Sequence, residues 1–304
     1  MPQESIAEYL SHGQIPFFRL PRADRGNPSP YAGAAAVLLG VPYDAGATYH
    51  PGARFGPYEL RRVSGFSNHN TNMDSATRVF LDGGNIAVPP LHPGMMRELV
   101  QAEIENVLSA NAVPFVVGGD HSITLPVLRA VAAKHGPLAV IHVDAHADTN
   151  DTGAEAGDEF HHGTPFRHAL QEGLIAPGQL HQIGLRYPGD ARVMEAFQTR
   201  EYGMEQVEEK GIRAIMSEVR AAAGERPVYV SIDIDAVDPA FAPGTGTAEP
   251  GGLTSREVLM LVRHCKGVRL VGLDLMEVLP AKDLSDLTCM LGAQLLLEGL
   301  ALIP

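Results

Sequence analysis

The sequence predicts an α/β fold: a mostly parallel sheet covered by helices on both faces. Three observations predict it. Short, near-continuously apolar runs recur along the chain, amphipathic stretches separate them, and the unusual polar residues fall where the apolar runs end. A strand that is apolar on both sides is buried on both faces, and strands alternating with helical stretches mark parallel βαβ units. In open parallel sheets, ligands bind at the carboxyl ends of the strands.

Residues 1–33, rich in proline, glycine and polar side chains, read as an irregular N-terminal arm packed on the domain or on an oligomer interface. Residues 34–304 read as a single domain with no linker-like break and no internal repeat. Seven strands are expected, at "AAAVLLGV" (34–41), "RVFLD" (78–82), "VPFVVGG" (113–119), "GPLAVIHVD" (136–144), "LHQIGLR" (180–186), "RPVYVSIDID" (226–235) and "VRLVGLDLMEV" (268–278). Helical periodicity is expected at 94–110, 122–135, 205–220 and 254–264.

Composition narrows the function. A formal charge of -13 argues against nucleic acid or an anionic membrane as partner and suits a cationic ligand. The two cysteines, Cys265 and Cys289, are too few for a disulfide framework and read as buried or incidental thiols. No run approaches the roughly 20 apolar residues of a membrane helix, and the N-terminus lacks the layout of a secretory signal. The expected location is the cytoplasm.

Four strand ends carry unusual groups: "VVGGDHS", "HVDAHADTN", "VSIDIDAVDP" and "GLDLMEVLP". Taken singly, each has a bland reading: His121 as a hydrogen-bonded loop histidine, Asp274 as a helix cap. Strand alternation puts Asp144, His146 and Asp148 on one side and is expected to turn His142 away. His161 reads as a neighbour of the site or as exposed, and His168, His181 and His264 have no spacing that recommends them. Together, His121, Asp144, His146, Asp148, Asp233 and Asp235 offer four carboxylates and two imidazoles with no thiolate. Two metals sharing bridging carboxylates use six such ligands well, and the oxygen-rich set favours Mn²⁺ over structural zinc, with zinc as the alternative.

With "GGDHS", "DAHADT" and "SIDIDAVDPAFAPGTGT" in this order, the chain resembles the ureohydrolases, the arginase and agmatinase family of binuclear manganese enzymes. The resemblance extends from about residue 34 to 303 and includes "GVPYDAGATYHPGARFGP". Departures are "DGGNI", where relatives commonly read "GD", and Ala248, where proline is usual; neither touches a proposed ligand. The resemblance implies an arginase-like three-layer α/β/α sandwich, two Mn²⁺ per subunit, and a homo-oligomer, trimer or hexamer. It assigns His121 and Asp148 to one metal, His146 and Asp235 to the other, and Asp144 and Asp233 to both. His162 in "HHGTPF" matches the proton-shuttling histidine, and Glu277 in "LMEV" matches the glutamate that holds the guanidinium.

Guanidinium hydrolysis needs a strong nucleophile, a grip on the cation and a proton for the leaving amine. Two metals would hold a water as bridging hydroxide, Glu277 would aim the guanidinium carbon at it, and Asp148 would pass its proton to the amine. His162 would exchange protons with solvent. Tyr43, Asp44 and the "GATYHPGARFGP" loop are placed at the entrance. The expected substrate is agmatine, giving putrescine and urea, a step of polyamine biosynthesis. Asn150 matches one arginase residue for the α-amino-acid end, but the expected serine is missing from 151–160 and Tyr187 stands where arginases place an aspartate. The acidic loop with Asp151, Glu155, Asp158 and Glu159 would attract the ammonium of agmatine and repel a carboxylate. Guanidinobutyrase, proclavaminate amidinohydrolase, arginase and a non-catalytic metal-binding regulatory subunit are the alternatives. A dinuclear phosphoesterase has its motifs in another order, and a zinc deacetylase needs only one metal's ligands.

Overall fold

A computed structural model of the chain describes residues 15–67, 78–150 and 160–304. Eight strands form one sheet: β1 (Ala36–Gly40), β2 (Phe80–Asn85), β3 (Val113–Val117), β4 (Leu138–Val143), β5 (Ile175–Leu185), β6 (Arg200–Gly203), β7 (Pro227–Asp233) and β8 (Arg269–Met276). Their order across the sheet is β2-β1-β3-β8-β7-β4-β5-β6, and every pairing is parallel. All carboxyl ends therefore open on one edge. The helices are α1 (Gly56–Ser64), α2 (Pro93–Ser109), α3 (Thr124–His135), α4 (Pro165–Gln171), α5 (Ala191–Phe197), α6 (Met204–Lys210), α7 (Ile212–Ala223), α8 (Ser255–His264) and α9 (Leu287–Leu300).

Strand alternation divides the core in two. On one face Val116, Val140 and Tyr229 pack with Met96 and Val100 of α2, Leu128 of α3 and Phe166 of α4. On the other, Val117, Ile141, Val230 and Leu273 pack with Ile215 of α7, Leu261 of α8 and Leu296 of α9. The result is the three-layer sandwich expected from strands apolar on both sides, each buried Val, Leu or Ile contributing about 1.5–3 kcal/mol. Residues 15–33 lie along α1 and β2: Phe17 and Phe18 are buried, and their amides donate to Asp82 Oδ2 (2.8 Å) and Ser64 Oγ (3.0 Å).

Some elements differ from expectation. The edge strand β6, "REYG", buries only Tyr202 and is too short and polar to stand out. The helix expected over 205–220 is two helices, because Gly211 adopts φ 76 and ends α6. Helix α9 is apolar nearly all round and buried, so it lacks an amphipathic stripe. Both cysteines are buried free thiols, and no described helix is long and apolar enough to cross a membrane.

His181 on β5 is fully buried, and neither ring nitrogen has a hydrogen-bond partner among the described residues. Burial, and then the charge of Arg200, push its pKa from 6.5 down to about 4. The folded ring stays neutral where the unfolded one takes a proton, so the stability is full above pH 6.5 and is lost as pH falls towards 4. We predict that His181→Leu removes about 2 kcal/mol of the stability loss between pH 7 and pH 5, read by urea unfolding at both values.

Candidate metal centre and active site

Strands β3, β8, β7 and β4 are consecutive neighbours, and every candidate group lies at or beyond the carboxyl end of one of them. His121 follows β3, Glu277 follows β8, Asp233 ends β7 with Asp235 just beyond, and Asp144, His146 and Asp148 follow β4. The turn after β3 demands glycine: a Cβ on Gly119 would lie 1.5 Å from the carbonyl oxygen of Tyr43. That close approach lets the Gly46 amide donate to Asp120 Oδ2 at 2.7 Å and brings the 44–52 loop over the site.

His121 Nδ1 stands 3.2 Å from Asp144 Oδ2, 3.2 Å from Asp148 Oδ2 and 3.1 Å from Asp233 Oδ2. His146 Nδ1 is 3.1 Å from Asp235 Oδ2 and 3.5 Å from Asp144 Oδ1. Two donor groups result, His121/His142/Asp144/Asp148 and Asp144/His146/Asp235, and Asp144 belongs to both. Donors about 3 Å apart are spaced like neighbouring ligands around a cation held at about 2.1 Å. The oxygen-and-imidazole set suits hard to borderline divalent ions. The residues present fit a binuclear centre.

The electrostatics state the same demand. The four aspartates are buried, and burial, followed by Asp235 and Asp144, pushes Asp233 well above the usual carboxylate range. Burial and then Asp144 raise Asp235 to about 6. For Asp144 the burial penalty is outweighed by His142, His121 and His146, which hold it well below its usual value. Burial alone would lower His121 and His146, but the carboxylates around them prevail: His121 is held well above 6.5 and His146 at about 12. Protons hold the positions that a cation would take, so metal uptake must release them.

Next to this cluster, Glu277 Oε1 accepts from the His121 amide (3.0 Å) and faces His162 Nδ1 (3.0 Å). His162 Nε2 meets the Thr48 hydroxyl at 2.7 Å and the Thr48 amide at 3.2 Å. Burial would lower this histidine, but Glu277 raises it to about 9. Asp148 (φ 49) and Glu277 (φ 61) both adopt the left-handed backbone region, which costs a non-glycine residue about 1–2 kcal/mol. A cavity of about 340 Å³, at the small end for ligand sites, is lined by Thr48, His146, Asp148, Asn150, His162, Tyr187, Asp190 and Thr247. A larger one, about 480 Å³, opens beside Arg22 and Arg61, but the Arg61 fork is taken by Asp82 and, among the described residues, no donor cluster faces it.

Several expectations need correction. β4 ends at Val143, so Asp144, His146 and Asp148 converge through a loop and not by strand alternation. His142 does not face away: it has the parity of Asp144, and its Nε2 lies 2.8 Å from Asp144 Oδ2. Asp274 caps no helix but accepts from Thr124, Tyr229 and Ser231 inside the sheet. Tyr43 and Asp44 are buried and do not line the entrance, where Asp44 braces the loop through Gly52 and Arg54; Thr48, of the "GATYHPGARFGP" loop expected there, does line the cavity. His161 accepts from the Gly163 amide. The acidic residues Asp151, Glu155, Asp158 and Glu159 lie outside the described residues. Thr247, which donates to Asp235 Oδ2 at 3.0 Å, was legible only as part of "GTGT".

Comparison with known proteins identifies relatives along nearly the whole chain. The chain is 44% identical to proclavaminate amidinohydrolase of Streptomyces clavuligerus over 97% of both chains. The solved structure of that enzyme superposes with a TM-score of 0.87, at 41% identity, over 96% of this chain and 97% of the other. The mitochondrial agmatinase of Gallus gallus is 40% identical over 90% of this chain and 82% of its own. Guanidinobutyrase of Pseudomonas aeruginosa is 39% identical over 96% and 93%. The model of the arginase family matches residues 34–301. The chain belongs to the arginase family, the hydrolases of guanidino compounds.

Proposed function

We propose that the protein is a manganese-dependent agmatinase, releasing urea and putrescine from agmatine. One observation carries the choice of substrate: no lysine or arginine is among the described residues that line the cavity, whereas Asp190 is. At its rim Tyr187 hydroxyl donates to Glu249 Oε2 at 3.3 Å, and Glu249 Oε1 is 3.8 Å from His146 Nε2. Asp190 already pairs with Arg192 at 3.1 Å, so an ammonium would find Glu249, whereas a carboxylate-bearing tail would meet no cation among the described residues that line the cavity. The similarity to proclavaminate amidinohydrolase and guanidinobutyrase supports a second reading, a ureohydrolase for a guanidino acid.

His121, Asp144, Asp148 and Asp233 would hold one ion and Asp144, Asp233, His146 and Asp235 the other. Bound there, two Mn²⁺ ions would offset the buried carboxylates and acidify a water at neutral pH. Glu277 presents its carboxylate to the guanidinium as a charge-assisted fork, and its backbone and His162 contacts fix the orientation. Asp148 would carry a proton to the departing amine. The Thr48 hydroxyl can turn from donor to acceptor and so follows His162 Nε2 as it gains or loses a proton, whereas the Thr48 amide can donate only to the unprotonated nitrogen. Asn150 lines the cavity and would touch the tail of the substrate. Homo-oligomerisation and a cytoplasmic location belong to the same proposal.

Three outcomes test it. Urea release from agmatine exceeds that from arginine and 4-guanidinobutyrate about a hundredfold in kcat/KM, about 3 kcal/mol; equal or faster turnover of either acid establishes the second reading instead. Chelation abolishes activity, and Mn²⁺ restores it better than Mg²⁺, which parts from its waters reluctantly. Asp148→Asn lowers kcat more than it raises KM, Glu277→Gln damages both, and His162→Ala is the mildest of the three because buffer can replace a shuttle. Steady-state kinetics on one Mn²⁺-loaded preparation read all three variants.

A further inference from the structure

Below the candidate metal centre a row of polar side chains crosses the sheet. Strand register sets Asp274 of β8 opposite Ser231 of β7, Ser231 opposite His142 of β4, and His142 opposite Gln182 of β5. All four are buried on a face otherwise packed with apolar groups such as Val140 and Phe166. Ser231 and His142 each lie two residues before an aspartate of the centre, one pleat beneath it. Buried polar groups are retained only with partners, and the partners here fix which atoms carry protons.

The first arm runs through Ser231. Asp274 accepts the hydroxyls of Thr124 and Tyr229 on Oδ2 and of Ser231 on Oδ1, each at 2.7 Å. The single proton of Ser231 is thereby used, so towards His121 Nε2, 2.9 Å away, its oxygen can only accept. Nε2 of His121 therefore keeps its proton, so Nδ1, which faces Asp144, Asp148 and Asp233, is the nitrogen whose lone pair a cation would take up on displacing the proton there. The second arm runs through Gln182. Its Nε2 donates to the carbonyl of Ala147 at 2.7 Å, which identifies the NH₂ end of the amide. That same group must donate to His142 Nδ1, at 2.9 Å. His142 therefore bears its proton on Nε2 and gives it to Asp144 Oδ2, at 2.8 Å.

On distance alone His142 could join His121, Asp144 and Asp148 as a metal ligand. With one nitrogen accepting from Gln182 and the other donating to Asp144, it has no lone pair to offer. We propose that His142 and Gln182 are positioning residues: they hold Asp144, the carboxylate common to both donor groups, in the orientation that binds divalent cations, as the Asp274–Ser231 arm orients His121. This rests on reading the six residues as a metal centre. Each carboxylate oxygen has two lone pairs, so Oδ2 can accept from His142 and still face a cation.

Mn²⁺ titration followed by calorimetry and by the electron spin resonance of free Mn²⁺, on full-length wild type and variants, tests this. His142→Phe keeps the ring packing against Phe166 and removes the donor; it should weaken Mn²⁺ binding about 10–100-fold. Gln182→Met, which leaves His142 in place but frees its tautomer, should weaken it about tenfold. His142→Gln, whose amide nitrogen reaches where Nε2 was, should recover most of the loss, a rescue that filling space alone cannot give. At saturating Mn²⁺ the KM for agmatine should stay within about twofold in all three, since Glu277 and not Asp144 grips the guanidinium. Mn²⁺ affinity within threefold of wild type in both His142→Phe and Gln182→Met overturns the proposal, as does His142→Gln binding no better than His142→Phe. Wild type that takes up no Mn²⁺ overturns the metal-centre reading instead.

Discussion

Four buried carboxylates, those of Asp144, Asp148, Asp233 and Asp235, crowd the carboxyl edge of the sheet, with the imidazoles of His121, His142 and His146 among them. Such a group repels itself in a low-dielectric interior, and no apolar packing at the edge can offset that repulsion. The surrounding architecture answers this constraint. Backbone amides of Ala145, His146 and Asp235 point at the carboxylates, at 3.1, 2.6 and 2.8 Å. Arg186 spreads its guanidinium over the carbonyls of Gly184, Ala236 and Glu249 and makes no ion pair with the four aspartates, so it stiffens the loops around them. The charge deficit is left for cations and a cationic substrate.

Specificity and chemistry are divided between the two sides of the centre. Beneath it, the sheet supplies rigid groups set by strand register. Above it, the loops after β1 and β4 supply Thr48, Asn150 and His162 to the cavity wall. Asp148 and Glu277 sit at the boundary, each in a strained left-handed conformation maintained by the contacts around it. Strain at the two groups expected to handle proton and cation is consistent with a site shaped for the reaction at some cost in stability.

Much of this was legible in the sequence. The strand runs of β1, β3, β4, β7 and β8 are apolar on both faces, so both their existence and the three-layer architecture could be read directly. The six donors were visible because they end those runs. What was hidden depends on tertiary placement. Helix α9 has no polar side to betray it, and β6 is stabilised by its neighbour more than by its own residues. The roles of His142 and Asp274 needed the cross-strand register, since the sequence does not say that residue 142 faces 182 or that 274 faces 231. Parity alone would have corrected the expected direction of His142, which is two residues from Asp144.

The strand order has a consequence for how the molecule comes into being. β8 lies between β3 and β7, the only strand joining the block β2-β1-β3 to the block β7-β4-β5-β6. Residue 115 pairs with residue 273, so the joint waits for a segment translated long after β3. Contacts so distant along the chain form slowly. On the ribosome two half-sheets must persist with raw hydrophobic edges until residues 269–276 emerge and slot between them. The same stroke that seals the sheet carries Glu277 to the centre, so a chain stalled before that point holds nearly every metal-binding group and nothing to grip a substrate.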